Sequence, residues 1–250
     1  MCGRYRLSAD LDSLLVSFAG LLINRALLVP RYNLAPTQQA PVVVRNGTNE
    51  ELRFMRWGLV PSWSKDTKDA ARCINARSES VAEKPSFRSA FKHRRCLVPA
   101  NAFYEWEVTP HGKQPWHIGR KDGALFCFAG LWENWTPKDA PEAEPWQTFS
   151  ILTTNPNALV SRIHDRMPVI LPREAFATWL NADTPSEALK PLLVPFDAEC
   201  MTAWPVTTRM SSARYDKPDS MEPLTETEMK PAKPAKPPKP EKPVQQMFDL

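Results

Sequence analysis

The sequence predicts an α+β fold: one compact domain built on antiparallel β-sheet, followed by a disordered C-terminal tail. Three observations lead there. Short apolar or alternating runs recur along the chain without a βαβα rhythm. Helical periodicity is confined to a few short segments. From Asp216 the composition turns to proline and lysine, with eight prolines between Pro218 and Pro243. Few apolar groups there offset the entropy of ordering, so this segment is expected to be extended and PPII-like. The domain is accordingly placed at residues 2–215 and the tail at 216–250.

The elements follow in order. Arg4 and Arg6 alternate with Tyr5 and Leu7, so a strand would place both arginines on one face. Leu11, Leu14, Leu15 and Phe18 share one side of a helix expected over Asp10–Phe18, with Ser8 or Asp10 as its cap. Pro41–Val44 reads as a short strand, and Leu52–Trp57 as another, ended by Gly58 and Pro61. Cys96–Val98 and Phe103–Trp106 read as two strands around a turn at Pro99. Leu125–Ala129 and Thr148–Leu152 are further strands, and Thr136–Pro145, rich in Pro, Ala and acids, is a solvent loop between them. Short helices are expected over Asn157–Ile163 and Pro172–Leu180, the latter with Pro172 near its start. Thr184 is placed to cap one more, running toward Leu192.

Composition narrows the classes. The 250 residues are 42% hydrophobic, enough for one substantial core. No run of 18 apolar residues suggests a membrane span, and the N-terminus lacks the long apolar stretch of a secretory signal. Cysteines at positions 2, 73, 96, 127 and 200 form no CxxC pair; their odd number fits a reducing cytoplasm. Neither a structural zinc site nor another metal or cofactor is expected, and no glycine-rich phosphate loop is present. The net charge is +4; the tail from Asp216 carries six Lys against seven Asp or Glu, −1, leaving +5 on the domain. That excess suits a phosphate-binding face without demanding one.

Cys2 is the most reactive candidate position. A small residue after Met1 permits removal of the methionine, which would leave an α-amine and a thiol on adjacent carbons. The α-amine titrates near about 7.7–8.0 against about 10.4 for lysine, so much more of it is neutral near pH 7. A neutral amine attacks an aldehyde to give a Schiff base, and the neighbouring thiol can close a five-membered thiazolidine on that imine. The bland alternative is a chance cysteine at the head of an ordinary edge strand.

A set of motifs then adds to this chemistry: Met1-Cys2-Gly3-Arg4, Trp57-Gly58-Leu59-Val60-Pro61-Ser62-Trp63, Asn75-Ala76-Arg77-Ser78-Glu79, and Arg95-Cys96-Leu97-Val98-Pro99 leading to Phe103-Tyr104-Glu105-Trp106. Ala129-Gly130-Leu131-Trp132, Thr153-Thr154 and Ile163-His164-Asp165-Arg166-Met167-Pro168 follow. In this order and spacing the sequence resembles the SRAP (SOS response-associated peptidase) family of abasic-site processing proteins. The resemblance spans the domain to about Pro205. It implies a catalytic Cys2 that links reversibly, through a thiazolidine, to the ring-opened aldehyde of an abasic site, with lyase-type Schiff-base chemistry. It also implies a preference for single-stranded DNA and single/double-strand junctions, and a cytoplasmic, nucleoid-associated role in repair.

The resemblance further implies roles for single residues. Asn75 would orient the sugar and the N-terminus; alternatively it is a turn or cap residue. Glu105 would move protons during Schiff-base formation, its pKa raised by burial; alternatively it is an ion-pair partner. His164 would assist sugar-ring opening and reversal, or be a satisfied structural histidine. Arg77 resembles a phosphate contact, with a surface salt bridge as the alternative. Arg4, Arg162 and Arg166 are weaker DNA-contact candidates, and Arg166 could instead belong to the fold. Trp63 is placed to stack on or wedge beside a base. Trp57, Trp106 and Trp132, with Cys73, Cys96, Cys127 and Cys200, read as core residues.

One family feature is missing: Pro205-Val206 is not followed by the usual Asn. The terminal Gln246–Leu250 segment loosely resembles a peptide that docks on a sliding clamp. Two other functions compete with abasic-site capture. One is a cysteine peptidase or autoprocessing hydrolase using Cys2, His164 and Glu105. The other is a noncovalent single-stranded DNA-binding module. A peptidase needs a thiolate and an oxyanion hole but not a free α-amine.

Overall fold

The computed structural model describes residues 2–8 and 28–225. The helix expected over Asp10–Phe18 and the clamp-like Gln246–Leu250 lie outside the described residues. The strands are β1 (Arg4–Leu7), β2 (Arg31–Leu34), β3 (Gln39–Asn46), β4 (Asn49–Trp57), β5 (Asn75–Arg77), β6 (Arg95–Ala100) and β7 (Ala102–Thr109). They continue with β8 (Gly112–Arg120), β9 (Phe126–Trp135), β10 (Trp146–Thr154), β11 (Met167–Pro168), β12 (Ile170–Leu171) and β13 (Met201–Pro205). Helices are short: α1 (Arg88–His93), α2 (Phe176–Leu180) and α3 (Ser186–Leu189).

The strands form two sheets. One has the order β13-β8-β7-β1-β2 and the other β11-β10-β4-β3-β6-β9-β12, with β5 beside β10. A further β9–β10 pairing closes β10-β4-β3-β6-β9 into a ring, which leaves those five strands without an open edge. Pairing is mostly antiparallel, but β10 runs parallel to β4 and β5.

The period of two in the sequence becomes two cores. Val42, Val44, Cys96, Val98, Phe126 and Phe128 pack with Tyr5, Phe103, Ile118 and Met201 of the other sheet. The alternate residues Val43, Leu97, Cys127 and Ala129 pack against Phe91, Trp179 and Leu189 of the helices. Strands buried on both faces read as unbroken apolar runs, as β6 does from Cys96 to Ala100 and β9 from Phe126 to Trp132. Gly58 ends β4 with φ +120°, and a Cβ there would lie 2.9 Å from the Ala70 carbonyl oxygen, so glycine answers both demands.

Several expectations shift. The two strands around Pro99 belong to different sheets, β6 to one and β7 to the other, with only Asn101 between them. The Asn157–Ile163 helix shrinks to a 3₁₀ turn at Val160–Arg162, where the Asn157 side chain accepts from the backbone N–H groups of Leu159 and Val160. Thr184 does not cap α3; Pro185 occupies that position and the Thr184 hydroxyl donates to the Thr178 carbonyl at 2.9 Å. Cys200 is exposed rather than a core residue, because it closes a surface 3₁₀ turn at Ala198–Cys200. The domain also extends past residue 215. The Asp216 carboxylate accepts from the backbone N–H of Tyr32 at 2.5 Å and of Asn33 at 2.9 Å, and Leu224 N–H donates to the Pro205 carbonyl at 3.0 Å. These contacts supply partners that composition alone does not reveal.

Candidate functional site

The site forms where the amino terminus meets the middle of β7. β1 pairs with β7, Arg4 opposite Tyr104 and Tyr5 opposite Phe103, so the residues before Arg4 run toward Glu105. Cys2 is fully buried in the larger core, and its thiol lies 3.9 Å from the Arg4 carbonyl oxygen. Burial, followed by the nearby Glu105 carboxylate, pushes the thiol far above its ordinary value. A buried thiol of this kind holds little thiolate.

Glu105 is only 2% exposed. Its carboxyl is pushed up to about 7, with burial as the largest cause. His164 follows the Val160–Arg162 turn and brings Nε2 to 3.7 Å from Glu105 Oε2. The Arg166 backbone N–H donates to His164 Nδ1 at 3.0 Å, which places the neutral ring's proton on Nε2, toward Glu105. Asp165 Oδ1, 2.9 Å from the same Nδ1, favours the charged ring instead. Burial, the largest cause, nonetheless holds His164 below its ordinary pKa. A carboxyl raised well above the usual carboxylate range and an imidazole lowered below its ordinary value therefore face each other near the Cys2 thiol.

Asn75 opens β5, opposite Ile151 of β10. The Trp57 indole N–H anchors the preceding residue by donating to the Ile74 carbonyl at 2.9 Å. Asn75 Nδ2 is 3.5 Å from the Ile151 carbonyl, while its buried Oδ1 has no hydrogen-bond partner among the described residues. Such an acceptor costs about 1–3 kcal/mol unless something fills it. Arg77, two residues on, shares the strand face of Asn75 and is exposed.

The other candidates divide into two groups. Arg162 and Trp63 are exposed, Trp63 by 55%, with its indole N–H donating to the Pro85 carbonyl at 3.4 Å. Arg4 and Arg166 are occupied within the fold. The Arg4 guanidinium donates to Asn33 Oδ1 at 3.1 Å and to the Met210 and Ser211 carbonyls at 3.0 and 3.2 Å. Arg166 grips Glu79 with two bonds of 2.7 and 2.9 Å and donates to the Thr153 carbonyl at 2.7 Å. Trp57 is buried, whereas Trp106 and Trp132 are half-buried beneath Arg4 and Arg53. Lys113, which no motif marks, adds positive charge near His164 because the β7–β8 hairpin returns it to this end. Among the described residues, no group of three or more His, Cys, Asp or Glu is arranged to hold a metal ion, and no helix is long and apolar enough to cross a membrane.

Fold and site define a two-sheet mixed-β protein with a Cys–Glu–His cluster gathered around its own amino terminus. The chain belongs to the SOS response associated peptidase (SRAP) family, whose model matches residues 1–213. It is similar to the abasic site processing protein YoqW of Bacillus subtilis, with 41% identity over 225 residues covering 89% of this chain and 99% of that protein. It is 34% identical over 227 residues to the abasic site processing protein HMCES of Gallus gallus, covering 78% of this chain and 66% of that one. A crystal structure of a protein from Bacteroides thetaiotaomicron superposes with a TM-score of 0.79 at 29% identity, over 90% of this chain and all of that one.

Proposed function

We propose that this protein processes abasic sites in DNA by capturing the sugar aldehyde on Cys2 once Met1 has been removed. The observation that carries the reading is Glu105: a buried carboxyl pushed up to about 7, near the buried Cys2 thiol and 3.7 Å from His164. Family membership and relatives named as abasic site processing proteins support it.

The proposed chemistry begins with the α-amine lone pair of Cys2 attacking the aldehyde carbon C1′. Transfer of a proton from nitrogen to oxygen gives a carbinolamine. Protonated Glu105 donates to the departing hydroxyl, water leaves, and the carboxylate takes back the remaining nitrogen proton as the imine forms. The Cys2 thiol then adds to the imine carbon while its proton moves to nitrogen. The product is a thiazolidine, formed with net loss of one water. His164 exchanges the proton that opens the sugar hemiacetal and, in reverse, assists release. Asn75 presents its buried acceptor to a sugar hydroxyl, and Arg77 and Arg162 bind flanking phosphates. Single-stranded DNA and strand junctions are the proposed substrates, because an unpaired sugar can reach a recessed residue.

The state of the thiol separates this reading from a cysteine peptidase. A peptidase requires a thiolate as its first nucleophile, and burial here opposes one. In the proposed order the amine attacks first and the thiol acts as a neutral group. The test is a denaturing gel of the Met1-processed protein with single-stranded DNA carrying one abasic site. A covalent band for the wild type and none for Cys2→Ala is expected. No band despite verified Met1 removal would overturn the proposal.

A further inference from the structure

Residues 84–95, Lys-Pro-Ser-Phe-Arg-Ser-Ala-Phe-Lys-His-Arg-Arg, carry five Lys or Arg and no Asp or Glu. This segment leaves the candidate site directly. Ser80 N–H donates to the Arg77 carbonyl at 3.2 Å, Lys84 N–H to the Ser80 carbonyl at 3.0 Å, and Arg88 N–H to the Lys84 carbonyl at 2.9 Å. α1 then carries the exposed Arg88 and Lys92 one turn apart, on one side of the helix.

Two of the basic residues hold this ridge in place. Arg95 is buried and donates to the carbonyls of Phe91 at 2.7 Å and Lys92 at 2.8 Å, tying down the last turn of α1. Arg94 pairs with Glu133 at 2.6 Å. The outward charges of Lys84, Arg88 and Lys92, by contrast, have no carboxylate partner among the described residues. Arg88, Lys92 and His93, with Ser89 and Ser186, line a cleft of about 350 Å³. The exposed ring of Trp63 is hydrogen-bonded to the same segment at Pro85. Unpaired positive charge held rigidly beside an exposed aromatic ring is how proteins track a nucleic-acid backbone while stacking a base.

We infer that the Lys84–Lys92 ridge and its cleft bind the phosphodiester backbone of the DNA arm beyond the lesion, with Trp63 at the junction between ridge and site. The inference deepens the abasic-site reading and rests on its DNA substrate, but not on the Cys2 chemistry. Its role is to hold and orient DNA without entering the reaction.

The test uses the full chain with Arg88→Glu and Lys92→Glu together. Affinity for undamaged single-stranded DNA, and for the same strand with a duplex arm, is read by fluorescence anisotropy over a range of salt concentrations. Loss of two phosphate contacts makes the slope of log K against log salt shallower by about 1.4 for the single strand or about 1.8 for a duplex arm. The larger change identifies which form lies on the ridge. At low salt, affinity is expected to fall at least about 10-fold, while the adduct rate at saturating abasic DNA stays unchanged. Lys121→Glu with Lys138→Glu, two exposed lysines elsewhere, serves as the charge control. An unchanged slope in a variant that melts like the wild type would overturn the inference, as would an equal loss in the control. DNA binding without any covalent adduct would remove the Cys2 reading and leave the ridge standing; no DNA binding by the wild type would remove both.

Discussion

Glu105→Gln should stabilise the folded protein at alkaline pH while disabling it. The Glu105 carboxyl is raised from an ordinary 4.5 to about 7, with burial as the largest cause. Its folded pKa exceeds its unfolded one, so the native state binds the proton more tightly. Below about pH 4.5 the group is protonated in both states and costs nothing. As pH rises from 4.5 to 7, the unfolded chain ionises first and wild-type stability declines; above 7 the penalty is complete. At about 1.4 kcal/mol per unit, the gap comes to about 3 kcal/mol. Glutamine cannot ionise and avoids that penalty. The stability difference between Glu105→Gln and wild type should therefore grow by up to about 3 kcal/mol between pH 4.5 and pH 8. In a domain of this size that is about 6–12 °C in Tm. Comparing the two proteins at each pH cancels every other titration. Adduct formation in the variant should fall about 100-fold or more, the usual loss when a general acid is removed. Thermal or urea unfolding across this pH range, alongside single-turnover adduct kinetics, reads both effects. A stability difference that does not change with pH would refute the assigned titration, whatever happened to activity.

Three further outcomes are expected. His164→Ala should slow release of DNA from the preformed adduct more than it weakens initial binding, followed by exchange of labelled for unlabelled DNA; equal release rates would remove His164 from that step. Arg166→Ala should destabilise the fold by about 2 kcal/mol through the lost charged hydrogen bonds to Glu79 and Thr153, seen in urea titration; a matching change in DNA salt dependence would show a phosphate role instead. Gly130→Ala should cost about 1–3 kcal/mol by overpacking, because its Cβ would lie 2.7 Å from Cys96 Sγ and 2.9 Å from Val98 Cγ2; an unchanged melting temperature would show that the β6–β9 contact is loose.

Strands with a clear period of two, or buried on both faces, were legible from residues alone. β3, β4 and β10 contain the expected runs and extend beyond them, and β9 contains all of its run except Leu125. β8 carries no such signal, because Gly-Lys-Gln-Pro-Trp-His-Ile-Gly-Arg is polar and contains a proline. Pro115 is tolerated there because the Val206 N–H still donates to its carbonyl at 3.0 Å, while the Gln114 side-chain amide donates to the Val206 carbonyl at 2.9 Å in place of the N–H that proline lacks. Cys2 was legible as chemistry, because an N-terminal cysteine has a reactivity that no fold need explain. Glu105 and His164 are candidates only through the family resemblance. Their 3.7 Å approach depends on β7 and a 3₁₀ turn meeting across the fold, and spacing along the chain carries no trace of that. Lys113 and the occupied states of Arg4 and Arg166 were illegible for the same reason: partners distant in sequence decide whether a cation is available.

Reaction of Cys2 through both of its nucleophiles would leave a distinct signature in the mass of the adduct. After reaction with abasic single-stranded DNA and nuclease trimming, intact and peptide mass spectrometry should find the chain without Met1, plus the DNA remnant, minus one water. The modification should map to Cys2, with that thiol blocked to iodoacetamide. An adduct on a lysine, an adduct formed while Met1 is still present, or a linked Cys2 whose thiol still alkylates would rule out joint capture by the α-amine and the thiol.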